Sequence, residues 1–189
     1  FFEILKEIPS LKDDFAFPEI GLSFFKKLPT MFFGGKGAKV QMHFDIDYAD
    51  IFLCHFGGKK KVVLFSPQQT PIMYHVPYSF SSLYDVDYAT PDYDKYPALK
   101  QLKGFETTLE HGDVLYIPPG WWHYIEYEGI GYSMALRALP RTPKNVLNML
   151  RNVFWIRKVE TFMRKIYGEK WTDRNERLAL INTNKHVEG

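Results

Sequence analysis

The chain has 189 residues, of which 46% are hydrophobic and 24% are charged, enough for one globular domain with its own core. Its 24 basic and 22 acidic residues are interspersed, with no like-charge block typical of a nucleic-acid-binding arm. A single cysteine, Cys54, excludes an intrachain disulfide framework, and no apolar run reaches the roughly 18 residues of a membrane span. We therefore expect an intracellular, cytoplasmic protein without a membrane segment. Because it starts at Phe1 without Met, we also expect residues before it.

The first two thirds of the chain have strand character. Residues 1–8 predict a short helix that Pro9 ends. Short segments rich in β-branched and aromatic residues then alternate with glycine turns, as in "TMFFGG", "AKVQMHFD" and "KKKVVLFSP". After an irregular stretch at 66–104, strand texture returns in "FETTLEHGDVLYIPP", "WWHYIEY" and "GYSMALRAL". Strands at this spacing predict a barrel or sandwich.

The last part of the chain is helical. Thr142 is a good helix cap, Pro143 suits the first helical position, and apolar residues repeat every three or four positions up to Gly168. A second helix is predicted from near Thr172. We therefore expect a mainly β domain over 1–140 and a helical extension over 141–189, which packs either on the barrel or in a homodimer interface.

The "HFD" segment is the first candidate for chemistry. On a strand, residues i and i+2 point to the same side, so His43 and Asp45 would face one space. They would supply two of the three ligands of a facial triad of two histidines and one carboxylate, which holds non-haem Fe(II) and leaves positions open. The third ligand must come from a distant strand, and His123 in "PPGWWHYI" is the candidate.

Two blocks of sequence carry a family resemblance. "HFDIDYADIFLCHFGGKKKVVLFSP" followed by "GFETTLEHGDVLYIPPGWWHYIE" resembles the JmjC and cupin-like 2-oxoglutarate oxygenases. That group includes the asparaginyl hydroxylase that inhibits hypoxia-inducible factor and the wybutosine tRNA hydroxylase. The resemblance covers roughly residues 25–140 and implies a double-stranded β-helix, with flanking helices. It also implies that His43, Asp45 and His123 bind Fe(II) near one mouth of the barrel.

The resemblance also implies where 2-oxoglutarate binds. It places Lys60 against the distal carboxylate of this co-substrate and Phe32 at a hydrophobic pocket position. The chain departs from the family at two co-substrate positions. Val40 stands where the asparaginyl hydroxylase has threonine, and Ala135 stands where relatives have asparagine.

Several neighbouring residues have competing interpretations. A further family asparagine maps ambiguously to Asp50 or Ile51, and we interpret Asp47 and Asp50 as rim residues in contact with solvent. His55 is a strand residue that could support Lys60 from behind. Of the pair Trp121 and Trp122, strand alternation sends one side chain into the core.

The resemblance implies an oxygenase that consumes dioxygen and 2-oxoglutarate, releases succinate and CO₂, and hydroxylates or demethylates a substrate. The substrate, whether protein, RNA or small molecule, is not readable from the sequence. The first alternative is a cupin-like metal-binding domain that has lost productive 2-oxoglutarate turnover and acts in binding or sensing. The second is another metal-dependent cupin enzyme, an isomerase or a dioxygenase without an oxo-acid. Such enzymes more often supply extra histidines near the first pair, and the residues around His43 and Asp45 supply none.

Overall fold

Antiparallel strands form the body of the molecule. The computed structural model describes residues 4–13, 15–27 and 29–188. Within these ranges the strands are β1 (Thr30–Gly34), β2 (Lys39–His43), β3 (Asp50–Phe56), β4 (Lys60–Phe65), β5 (Phe105–Leu109), β6 (Val114–Ile117), β7 (Trp122–Tyr127) and β8 (Gly131–Ala138). They form two four-stranded sheets, ordered β1-β8-β3-β6 and β2-β7-β4-β5. This jelly-roll arrangement confirms the predicted mainly β fold with a double-stranded β-helix.

The core follows from strand alternation. Side chains at every second position of β3, β4 and β7 point between the sheets and form one apolar cluster, which includes Leu53, Val62 and Ile125. A second cluster lies on the outer side of the β2–β7 sheet, where the long stretch after β4 covers it. Trp122 is fully buried in this second cluster, whereas Trp121 packs from the edge of the first. The expectation that one of the two tryptophans fills the core is confirmed.

Short helices and helical turns flank the strands. At the N-terminal side lie α1 (Ile4–Glu7) and a 3₁₀ turn (Pro9–Lys12); of the helix predicted over 1–8, residues 1–3 lie outside the described residues. Two further 3₁₀ turns, Pro67–Ile72 and Pro97–Gln101, order the long stretch between β4 and β5.

The C-terminal helices differ in detail from the prediction. Thr142 caps α2 (Pro143–Arg151) as expected, since its side chain accepts a hydrogen bond from the Asn145 backbone N–H at 3.2 Å. A π-helical turn, Asn152–Ile156, then separates α2 from α3 (Arg157–Tyr167), where one continuous helix was predicted. Gly168, with φ +54°, ends α3, and α4 (Glu169–Glu188) begins three residues before the predicted Thr172.

The helices meet the barrel unequally. Helix α4 packs on the segments that follow β4, where Ala179 is fully buried and the Tyr74 hydroxyl donates to Asn184 Oδ1 at 3.2 Å. Helices α2 and α3 leave large apolar side chains exposed, among them Leu147 and Phe162. Among the described residues, no helix combines the length and apolar character needed to cross a membrane.

Candidate functional site

The predicted triad is brought together at one end of the barrel. His43 is the last residue of β2 and pairs directly across the strands with His123 on β7. Their ring centroids lie 4.1 Å apart. One potential ligand atom from each of His43, Asp45 and His123 lies within 4.8 Å of the others. We call this end of the barrel the histidine end; it comprises His43, Asp45 and His123, with Arg137 and Asp47 beside them.

Asp45 reaches the site from a loop. We expected it on the same strand as His43, but β2 ends at His43 and Asp45 lies two residues beyond, before a turn. Side-chain alternation nevertheless continues past the end of β2, because His43 and Asp45 line the cavity whereas Met42 and Phe44 pack in the second cluster on the opposite side. Backbone pairing also continues, since the Phe44 N–H donates to the Phe80 carbonyl at 2.9 Å, and Asp45 Oδ2 lies 3.6 Å from His123 Nε2.

The turn before β7 sets the position of His123. The Trp121 N–H donates to the Pro118 carbonyl at 3.2 Å, and Gly120 has φ +75°. This is a type II turn, with Pro119 at its second position and Gly120 at the third, where a positive φ is required. A Cβ at residue 120 would lie 2.8 Å from the ring of Tyr48, so glycine is required there for space as well.

Both imidazoles are oriented for ligation through the same nitrogen. His43 Nδ1 lies 2.7 Å from the Gln41 carbonyl, and His123 Nδ1 lies 3.1 Å from the Trp121 carbonyl. A carbonyl only accepts, so each Nδ1 carries the proton and each Nε2 keeps a free lone pair. The Nε2 of His123 faces Asp45 Oδ2 at 3.6 Å. Metal-binding histidines are usually oriented by such a hydrogen bond from the ring nitrogen that does not bind the metal, here Nδ1.

Arg137 on β8 completes the charge balance of the histidine end. Its Nη2 donates to Asp45 Oδ1 and its Nη1 to Asp47 Oδ2, the latter at 2.6 Å. Burial alone would raise the pKa of Asp45, but its interactions with His123, Arg137 and His43 together lower it. Burial and the neighbouring His43 lower the pKa of His123 to about 4. At neutral pH His123 is therefore uncharged, and Arg137 is the permanent cation that keeps Asp45 ionised.

Lys60 marks the other end of the same cavity. It pairs with Tyr127 on β7, whereas His123 pairs with Leu64, four residues further along β4. Four residues of strand span roughly 13 Å. The Lys60 side chain is 1% exposed, its Nζ lies 4.3 Å from the centroid of the Tyr127 ring, and burial lowers its pKa to about 8. In the described part of the chain no carboxylate pairs with it.

Two buried polar residues support Lys60. Its ammonium donates to Ser133 Oγ, which also lies 2.9 Å from His55 Nδ1. His55 is fully buried, and burial together with the positive charge of Lys60 lowers its pKa. His55 thus lies behind Lys60, as expected, but it acts through Ser133. We call Lys60, Tyr127, Ser133 and His55 the lysine end.

An apolar middle separates the two ends. The structure places Phe32, Val40 and Ala135, three of the predicted co-substrate positions, in this cavity. Of the two residues to which the further family position maps, Ile51 lines the cavity and Asp50 does not. The interpretation of Asp50 as a solvated rim residue is wrong: its side chain is 1% exposed and accepts hydrogen bonds from Tyr116 and Arg141. Asp47 is not simply solvated either, because its carboxylate pairs with Arg137.

Strand β8 connects the three layers of the cavity. Ser133, Ala135 and Arg137 follow one another at every second position and so share one face of the strand. Ser133 lies at the lysine end, Ala135 in the middle and Arg137 at the histidine end. Sequence reasoning singled out Ala135 but missed the other two. The alternation around Ala135 was the signal that could have found them.

A jelly roll with a His-Asp-His cluster at one end is the architecture of a cupin-type domain. A family model described as "Cupin-like domain" matches residues 3–161, and the chain belongs to this family. The predicted resemblance to JmjC and cupin-like proteins is thereby confirmed.

Named relatives cover most of this chain. The protein called tRNA wybutosine-synthesizing protein 5 is 36% identical in Homo sapiens over 73% of this chain and 35% identical in Gallus gallus over 70%. Jumonji C domain-containing protein 5 of Drosophila melanogaster is 30% identical, also over 70%. The chain spans 43%, 40% and 34% of the lengths of these three relatives, respectively.

Proposed function

We propose that this chain is an Fe(II)- and 2-oxoglutarate-dependent oxygenase, most simply a hydroxylase. The observation that carries the proposal is one cavity with three metal-donor groups at one end and a buried, carboxylate-free lysine at the other. A lysine this buried is costly unless an anion accompanies it. The relatives with tRNA-modifying and Jumonji C names support the reaction class and an intracellular location.

The histidine end fits Fe(II). Two neutral imidazole nitrogens and one carboxylate are the donor set of the facial triad, and the proton on each Nδ1 is held by a backbone carbonyl. His43, Asp45 and His123 would hold the metal. With 2-oxoglutarate and dioxygen, bound iron supplies the chemistry that oxidises a C–H bond and releases succinate and CO₂.

The charges of the cavity favour a dicarboxylate. Asp45 and Asp47 carry two negative charges, and Arg137 and Lys60 carry two positive ones, so a divalent metal leaves an excess of two positive charges. A dianion such as 2-oxoglutarate would neutralise this excess. Lys60 would hold its distal carboxylate, while Leu53, Ile117 and Ile125 on the cavity wall would exclude water around its methylene groups.

Uncoupled turnover tests the proposal. Purified protein with Fe(II), ascorbate and 2-oxoglutarate is expected to release succinate slowly in the absence of a substrate. It is also expected to unfold at a higher temperature when 2-oxoglutarate is added to the metal-loaded form. If the protein shows no succinate release and no thermal shift, the oxygenase proposal is overturned.

A second candidate function is supported by the apolar middle of the cavity. Val40, Ile51 and Ala135 offer no hydrogen bonds to a bound oxo-acid, so the domain could hold a metal for binding or sensing without turnover. Under this alternative, Mn(II) would bind with one equivalent, but 2-oxoglutarate would change neither the thermal stability nor the amount of succinate.

We also propose that the chain self-associates through α2 and α3. These helices and the π-helical turn between them carry large apolar side chains that are 61–67% exposed, namely Leu147, Phe154, Trp155 and Phe162, and so much exposed apolar surface is typical of an interface. Replacing Phe162 with Glu is expected to convert a dimer into a monomer in light scattering coupled to size exclusion. A monomeric wild-type protein at micromolar concentration would contradict this.

A further inference from the structure

The two oxygens of the Asp45 carboxylate have different partners, because Arg137 binds one of them. Oδ1 accepts a hydrogen bond from Arg137 Nη2, whereas Oδ2 is the oxygen that faces His123 Nε2, at 3.6 Å. Both side chains are largely buried, at 19% exposure for Arg137 and 16% for Asp45. Water therefore competes little for this pair.

Asp47 holds the guanidinium in place from its other side. Arg137 Nη1 donates to Asp47 Oδ2 at 2.6 Å, and the other oxygen of Asp47 accepts from the Ala49 N–H at 3.4 Å. The planar fork of arginine can contact two carboxylates at once in fixed directions, which the single ammonium of lysine cannot do. The orientation of Arg137 is thus set by the loop that carries Asp45.

We propose that Arg137 is a positioning residue that restricts Asp45 to ligation through one oxygen. The inference rests on the proposed metal site. A facial triad leaves three coordination positions open, and an aspartate that binds through both oxygens would occupy one of them. By engaging Oδ1, Arg137 leaves only Oδ2 for the metal and so preserves the positions that an oxo-acid and dioxygen need.

The test counts exchangeable water on bound Mn(II). Proteins saturated with Mn(II) alone are compared by water-proton relaxation: the wild type, Arg137→Gln, Arg137→Lys and Asp47→Asn. Arg141→Gln serves as the control, since Arg141 pairs with Asp50 outside the cavity. We expect relaxivity per bound Mn(II) to fall by about one third in Arg137→Gln. The second oxygen of Asp45 would then take one of the roughly three positions that water occupies on the metal. Arg137→Lys and Asp47→Asn should fall between this value and the wild type.

The outcomes separate this role from the proposed function. Wild-type relaxivity in Arg137→Gln at full Mn(II) occupancy would overturn the role of Arg137. Should that variant fail to fold, wild-type relaxivity in both Arg137→Lys and Asp47→Asn would overturn it equally. The expected decrease without succinate release by the wild type would keep the role and remove the oxygenase function. No Mn(II) binding by the wild type would overturn both.

Discussion

The two ends of the cavity solve the burial of charge in opposite ways. At the histidine end the ionised side chains are already paired, since Arg137 contacts both Asp45 and Asp47. At the lysine end the ammonium of Lys60 contacts a hydroxyl and an aromatic ring, and no carboxylate among the described residues pairs with it. The first end offers a cation two neutral imidazole nitrogens and a carboxylate whose charge Arg137 balances, and the second offers an unneutralised charge to an anion. In the ligand-free protein the buried charges are therefore paired at the histidine end and unpaired at the lysine end.

This difference predicts that the two ends respond to different ligands. Removing a donor at the histidine end should weaken metal binding. Removing the charge at the lysine end should weaken oxo-acid binding and stabilise the ligand-free protein.

Replacing His123 with Ala should abolish stoichiometric Mn(II) binding. The variant loses one of three donors, and the cavity supplies no further histidine besides His43 in the described part of the chain. Isothermal titration calorimetry measures the effect. His111→Ala, at an exposed histidine, is the matched control and should bind Mn(II) normally. Unchanged Mn(II) affinity in His123→Ala would remove this residue from the site.

Replacing Lys60 with Met should abolish the thermal shift caused by 2-oxoglutarate and, at the same time, stabilise the ligand-free protein. The buried ammonium has no carboxylate partner, so an apolar side chain of similar length should raise the free energy of unfolding by about 1–3 kcal/mol. Chemical denaturation near neutral pH measures the gain. Lys59→Met is the control, because Lys59 pairs with Glu110 on the surface. A large loss of stability in Lys60→Met would contradict the account.

Raising the pH should stabilise the ligand-free protein through Lys60. Its pKa falls from 10.5 to about 8 on folding, so the unfolded chain binds the proton more tightly than the folded one. The free energy of unfolding should therefore rise as the pH increases from about 8 to about 10.5. Urea denaturation of wild type and Lys60→Met across this range isolates the contribution. Identical pH profiles for the two proteins would show that Lys60 has an ordinary pKa.

Replacing Ser133 with Ala should have the smallest effect, a decrease of a few fold in affinity for 2-oxoglutarate with no change in Mn(II) affinity. The alanine removes the hydroxyl that lies between Lys60 and His55 but leaves the ammonium that would bind the anion in place. Calorimetry with each ligand in turn measures both affinities. A loss of Mn(II) binding instead would show that the two ends are not independent.

The fold and the triad could be predicted because their signals are local or highly specific. Glycine turns between β-branched segments indicated the strands, and Pro118-Pro119-Gly120 before His123 indicated the turn that orients it. The end of β2 at His43 could not be predicted, since from there the chain pairs with the distant residues Phe80 and Ser81. His43 and Asp45 nevertheless line the same cavity, as the alternation predicted, because the alternation continues past the end of the strand.

Alternation could have placed Arg137 and Ser133 on the cavity face of β8, but their partners could not be predicted, because these are distant in the sequence. Arg137 lies 92 residues from Asp45 and Ser133 lies 73 residues from Lys60, and nothing in the strand "GYSMALRAL" identifies either partner. Asp50 was misjudged for the same reason: its partners Tyr116 and Arg141 come from other parts of the chain. A charged residue beside a motif looks solvated until its partner is known.

Titration of the Mn(II)-loaded protein with 2-oxoglutarate tests the central claim most directly. The account predicts one equivalent bound by the wild type, and no saturable binding by Lys60→Met although that variant still binds Mn(II). Equal affinity of the two proteins for 2-oxoglutarate, or no binding by the wild type, would contradict the claim that the lysine end is built for the anion.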